Sequence, residues 1–212
     1  RSEDDDRRPR KPDGSPRRGP PFKRDFGVPK DDAQDNFTDP ESRIMKHGNG
    51  AFEQSYNGQT AVDAQNQIIV AAELIQSASD NDQLPDMVDA IEANLQALPE
   101  QVIADAGYRG EENLAKFADK PIDVIVALGR ERNQVAGIDG EKYPHTAHMA
   151  ERLKTDSVKM AYSQRKHIVE PPNGWIKSVM GFRQFSMRGY EKCRSEWKLV
   201  TLSLNLRRMA YL

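Results

Sequence analysis

Residues 102–114 read VIADAGYRGEENL: a short apolar run, an aspartate, a small-residue turn, then a mixture that suits a helix. The run at 101–105 predicts a strand, and residues 110–118 a helix with Leu114 and Phe117 facing inward. Gly107 lets the backbone turn tightly between them. Asp105 thus stands where a strand opens into a turn. It can cap the helix after that turn. It can also face the crevice at the carboxyl ends of strands, where α/β sheets hold their ligands. Glu111 and Glu112 suit the first helical turn by charge.

Working outward, IDVIVAL (122–128) predicts another strand. Upstream, residues 83–98 carry Leu84, Met87, Val88, Ile91, Leu95 and Leu98 at helical spacing, with Asp80 or Asp82 as caps and Pro99 as the stop. Residues 52–62 predict a strand with a turn at Asn57-Gly58, and 67–75 a buried strand. The turn Asp63-Ala64-Gln65-Asn66 joins the two as a hairpin. Residues 129–150 predict a loop or small insertion, 150–165 a helix, and 186–212 a helix through Trp197, Leu199, Leu202, Leu206 and Met209. Strands alternating with helices give an α/β order.

Composition narrows the function classes. The 212 residues suffice for one domain with a sizeable core. The single cysteine, Cys193, excludes an internal disulfide framework and a cysteine-based zinc site. A reducing compartment fits this usage. No apolar run approaches the ~20 residues of a membrane span. Residues 1–37 alternate charge blocks with Pro and Gly and bury almost nothing, which predicts a disordered tail or linker. The net charge of −2 is uneven: residues 151–212 carry 13 Lys and Arg against 5 Asp and Glu. That basic third suits a polyanionic partner, or a solvated helical surface. His145, His148 and His167 form no convincing metal set.

The second chemical stretch is YSQRKHIVEPPNGWIK, residues 162–177. If 162–170 is helical, Tyr162, Arg165 and Val169 line one face and Glu170 lies toward the Lys166 side. Pro171 and Pro172 then stop or kink the helix. The tetrad Tyr162, Arg165, Glu170 and Lys177, downstream of Asp-Ala-Gly-Tyr, resembles the catalytic core of DDE transposases from bacterial insertion sequences. The blocks 56–74, 102–114, 165–189 and 195–209 look like that family in the right order, so the resemblance covers residues 38–212.

The resemblance implies a ribonuclease-H-like mixed sheet flanked by helices, here without its first strand. It implies three carboxylates holding two Mg²⁺ ions, with Mn²⁺ as a substitute. Two such ions can activate the attacking oxygen and stabilise the leaving one in a phosphoryl displacement. Asp105 carries over as the second acid and Glu170 as the third. Arg165 and Lys177 match positions that would contact phosphate, with Tyr162 beside them or merely packing. The implied activity is DNA strand cleavage and strand transfer at element ends, by a dimer on DNA in the bacterial cytoplasm.

Two departures stand out. No Ile-Asp-Gly-Thr-like setting for the first acid is present, so that acid is expected upstream of Arg1; Asp39 and Asp63 are the nearest substitutes, and neither suits the role. Asn173 stands where the family usually has Phe, and Trp175 can supply the aromatic contact. The alternatives are a non-catalytic DNA-binding remnant of a transposase, a nuclease without strand transfer, and an unrelated α/β protein.

Overall fold

A computed structural model describes residues 36–48, 50–129 and 138–212. The tail expected at 1–37 lies almost wholly outside the described residues. The elements in order are β1 (Arg43–Lys46), β2 (Phe52–Ser55), β3 (Asn57–Val62), β4 (Ile69–Ile75), α1 (Leu84–Leu95), β5 (Gln101–Ala104), a 3₁₀ turn (Ala106–Tyr108), α2 (Glu111–Ala115), β6 (Asp123–Val126), α3 (Pro144–Arg152), α4 (Asp156–Ser178) and α5 (Tyr190–Met209). The strands pair as antiparallel β1–β2, antiparallel β3–β4 and parallel β5–β6. The fold is mixed α/β, as the sequence order implies. No helix among the described residues is long and apolar enough to cross a membrane.

The β3–β4 hairpin forms where expected: the Asp63 carboxylate accepts from Asn66 N at 2.7 Å and tightens its turn. The turn expected at Asn57-Gly58 does not form. Both residues lie in β3, and Gly58 is needed for a tertiary reason. A Cβ there would sit 3.2 Å from the Trp197 ring, whose Nε1 donates to Gln59 O. In α1, Met87, Val88 and Ile91 are buried, whereas Leu95 is exposed and the helix ends at Gln96 in a left-handed conformation. Its N-cap is Gln83, with no side-chain cap bond, so neither Asp80 nor Asp82 plays the expected role.

Two further expectations fail around α3 and α4. Part of the segment read as a loop is α3, a helix whose first turn is capped from elsewhere. The Glu111 carboxylate accepts from His145 N, Thr146 N and Thr146 Oγ1 at 2.8, 2.9 and 2.6 Å. Of the stop or kink expected at Pro171 and Pro172, the stop does not occur; α4 runs through both. A proline lacks the N–H that would reach the carbonyl four residues back. Here Gln67 Nε2 donates to the freed His167 carbonyl at 2.8 Å, and Asn173 Nδ2 reaches Val169 O at 3.1 Å. Pro172 and Ile176 are buried, so packing offsets the two lost bonds.

The largest core joins Leu84 and Val88 of α1 to Ala104 of β5, Val124 and Val126 of β6, Leu114, Phe117 and Met149. A second joins Ile69, Ile176, Trp197 and Leu204, fixing α4 and α5 against the hairpin. Helix α5 is also clamped by polar groups. Arg194 and Lys198 pair with Glu73 at 3.0 and 3.1 Å. The Asn205 amide both accepts from Ile69 N and donates to Ile69 O, each at 2.8 Å. Leu199, Leu202, Leu206 and Met209 point outward. Cys193 is fully buried and donates to Met187 O; burial first, then the charges of Asp39 and Glu196, pushes its thiol up to about 11.

Candidate active site

Asp105 follows Ala104, the last residue of β5, with extended backbone (φ −83°, ψ −179°). Its Oδ1 accepts from Gly107 N at 2.8 Å, and its carbonyl accepts from Tyr108 N at 3.2 Å. Asp105 therefore does cap something, the short Ala106–Tyr108 turn. That uses one carboxylate oxygen. The other, Oδ2, faces Arg165 Nη1 of α4 at 3.8 Å, and the Asp105 side chain stays 47% exposed. Capping and ligand roles are thus compatible in one residue.

Helix α4 packs against β5 and β3 and delivers two members of the tetrad to this spot. Arg165 lies over the Tyr162 ring, 5.6 Å from its centroid. Its Nε is buried with no hydrogen-bond partner among the described residues. That N–H is thus desolvated with its donor unused, a costly arrangement.

Glu170 and Lys177 are not gathered with them. Both are exposed, and neither has a hydrogen-bond or ion-pair partner among the described residues. Helix phase explains this. At 3.6 residues per turn, Glu170 lies about 140° around α4 from Arg165, and Lys177 about 120°. The seven residues between Glu170 and Lys177 bring those two within about 20° of each other. The tetrad is two pairs: Tyr162 and Arg165 turned to Asp105, Glu170 and Lys177 turned outward.

The turn after β5 is braced by Gln59, which sequence reading passed over, and by Asn57 and Asp80, which it placed in other roles. The Tyr108 hydroxyl donates to Gln59 Oε1, and Gln59 Nε2 donates to Asp80 Oδ1 at 2.8 Å. Asn57 Nδ2 reaches the same Asp80 oxygen at 2.6 Å. Gln59 is buried. Burial first, then the charges of Asp80 and Asp105, holds the Tyr108 hydroxyl well above its ordinary value, so it stays protonated and donates. No local signal marks Gln59, and the signal at Asn57 pointed to a turn; only their position on β3 brings them here.

The substitute first acids are engaged elsewhere. Asp39 is buried and accepts from Tyr56 Oη at 2.7 Å. Burial alone would raise its carboxyl, but the bonds from Tyr56 and from backbone N–H groups outweigh it and hold the group below its ordinary range. Asp63 holds the hairpin turn. No group of three or more His, Cys, Asp or Glu among the described residues could hold a metal. Two carboxylates do have oxygens to offer: Asp105 Oδ2, with only its 3.8 Å ion pair, and the unpartnered Glu170. Each is a hard oxygen donor of the kind Mg²⁺ takes, but the two lie on different faces and form no joint site among the described residues.

No curated protein and no solved structure matches the chain. A family model described as the transposase DDE domain matches residues 13–206. That match runs through the β5 turn, all of α4 and nearly all of α5, and the chain therefore belongs to the transposase DDE domain family.

Proposed function

We propose that this chain carries the metal-dependent catalytic core of a DNA transposase that cuts and joins strands at the ends of a bacterial insertion element. In this reading residues 38–212 form a ribonuclease-H-like domain and residues 1–37 a charged tail or linker. The observation that supports it most is the meeting of Asp105 with Arg165 at the carboxyl end of parallel β5–β6. The antiparallel β3–β4 hairpin followed by α1 and that parallel pair suits the proposed sheet. Among the described residues, β3 and β5 each pair with one strand only. A first strand carrying the first acid has edges to join there.

In this reading Asp105 and Glu170 are the acids that hold Mg²⁺ or Mn²⁺, which requires α4 to turn Glu170 toward Asp105; the metal, when bound, supplies activation of the attacking oxygen and stabilisation of the leaving one. The chain's own groups bind and orient DNA. Arg165, backed by Tyr162, offers the charge of its guanidinium head to a phosphate oxygen beside Asp105. Lys177 places a cation on the same face as Glu170. Arg183, Arg188 and Lys192, between α4 and the first turn of α5, are further exposed cations with no partner among the described residues, suited to the phosphate backbone of two element ends held by two copies.

The test is Mg²⁺- or Mn²⁺-dependent nicking of DNA carrying matched element ends. Nicking lost in Asp105→Ala and in Glu170→Ala supports the reading, and joined products distinguish strand transfer from simple nuclease action. Metal-independent binding with no cleavage marks a DNA-binding remnant instead, an outcome that the outward direction of Glu170 makes worth testing.

A further inference from the structure

We infer that Asp80 and Asn81, in the loop before α1, are positioning residues for Asp105: they clamp the turn after β5 from outside and set the direction of its carboxylate. This rests on the reading of Asp105 as a metal ligand.

Three observations carry it. A Cβ at Gly107 would lie 2.9 Å from Asp105 Oδ1 and 3.0 Å from Asp80 Oδ2. The two carboxylates therefore both close on the same glycine, no more than about 6 Å apart, within the range where like charges interact. Next, with its nitrogen turned inward, the Asn81 amide donates to Gly107 O at 2.7 Å and Arg109 O at 3.2 Å, holding the turn's carbonyls. Finally, Asp80 is itself held. Its Oδ1 takes Asn57 and Gln59, and Gln59 takes the Tyr108 hydroxyl. The loop, β3 and the turn thus form one closed polar circuit with Asp105 at its rim. Within it, Asp80 Oδ1, Gln59 and the Tyr108 hydroxyl are tied to one another, while Asp105 Oδ2 keeps only its 3.8 Å ion pair with Arg165.

The circuit explains why the aspartate is followed by Gly-Tyr after one alanine. Glycine admits both carboxylates, and tyrosine ties the turn to β3. A ligand needs its direction fixed by the groups behind it, and their loss typically weakens metal binding about 10–100-fold.

Amide exchange at residues 107 and 108 and Mn²⁺ binding followed by electron paramagnetic resonance test this in the intact chain. Asp80→Ala is expected to raise exchange at both amides at least about tenfold, with α1 and β6 amides at wild-type rates, and to weaken Mn²⁺ binding about tenfold. Asp80→Asn, which keeps an acceptor for Asn57 and Gln59, restores most of both. Wild-type exchange at 107 and 108 in Asp80→Ala overturns the inference. So does wild-type Mn²⁺ binding in Asp80→Ala when Asp105→Ala has lost it. If Asp80→Ala does not fold, Gly107→Ala replaces it: there the added Cβ must displace both carboxylates, and unchanged exchange and Mn²⁺ binding overturn the inference. Mn²⁺ binding that survives Asp105→Ala overturns the metal role of Asp105 alone, and the clamp is then decided by exchange.

Discussion

The turn after β5 and the outer face of α4 each present a carboxylate, and they do so by opposite means. Asp105 is directed by its own backbone, by Gly107 N and by a circuit of side chains from β3 and the loop before α1. Glu170 is directed by helix phase alone, with no partner among the described residues to aim it. The first kind of direction is local and redundant. The second depends on the register of the whole helix, and that register crosses two prolines. The comparison shows where each acid is vulnerable: Asp105 to its neighbours, Glu170 to anything that shifts α4.

The sharpest way to break this contrast is chemical. Asp105→Ala and Glu170→Ala are each expected to lower nicking at least about 10³-fold, about 4 kcal/mol at the barrier. Urea unfolding should then separate them. Asp105→Ala loses a turn cap and a charge partner and should cost about 1–2 kcal/mol. Glu170→Ala, at an exposed position, should stay within about 0.5 kcal/mol of wild type. Equal losses would erase the distinction.

A second contrast concerns Glu111, a carboxylate with a structural task, the capping of α3. Burial raises its carboxyl, but bonds from Thr146 and the His145 and Thr146 N–H groups more than offset that and hold it below its ordinary value. Its contribution is therefore full above the unfolded value and lost as pH falls through the lower folded one. Glu111→Gln should cost about 1 kcal/mol at neutral pH and flatten the acid limb of the stability curve. Next, Gln67→Ala leaves the exposed His167 carbonyl to water and should cost about 0.5 kcal/mol in urea, loosening the register that aims Glu170. The smallest effect is Lys177→Ala, which should weaken DNA binding evenly across sequences and reduce the salt slope by about one.

Legibility in the sequence divides along the same line. The Asp105 turn and the β3–β4 hairpin are specified within a few residues, by an apolar run, a glycine and an aspartate that folds back on its own backbone. Gly58 misleads because its reason lies at Trp197, at the far end of the chain. The prolines of α4 mislead because Gln67 and a buried ring rescue them, and α3 is missed because Glu111, far earlier, supplies its cap. Asp80 suits a helix cap by the ordinary rule, and only tertiary structure turns it toward Gly107. Of the transposase tetrad, spacing tells which residues belong together, not that they divide between two faces.

The double bond between Asn205 and Ile69 carries one more consequence. An exposed strand edge is a template on which another chain can add. By supplying a donor and an acceptor to both backbone groups of Ile69, the Asn205 amide imitates a neighbouring strand and ends the ladder at its first rung. Helix α5 thereby covers the start of the β4 edge and leaves the β3 edge as the side of the hairpin on which a strand can add.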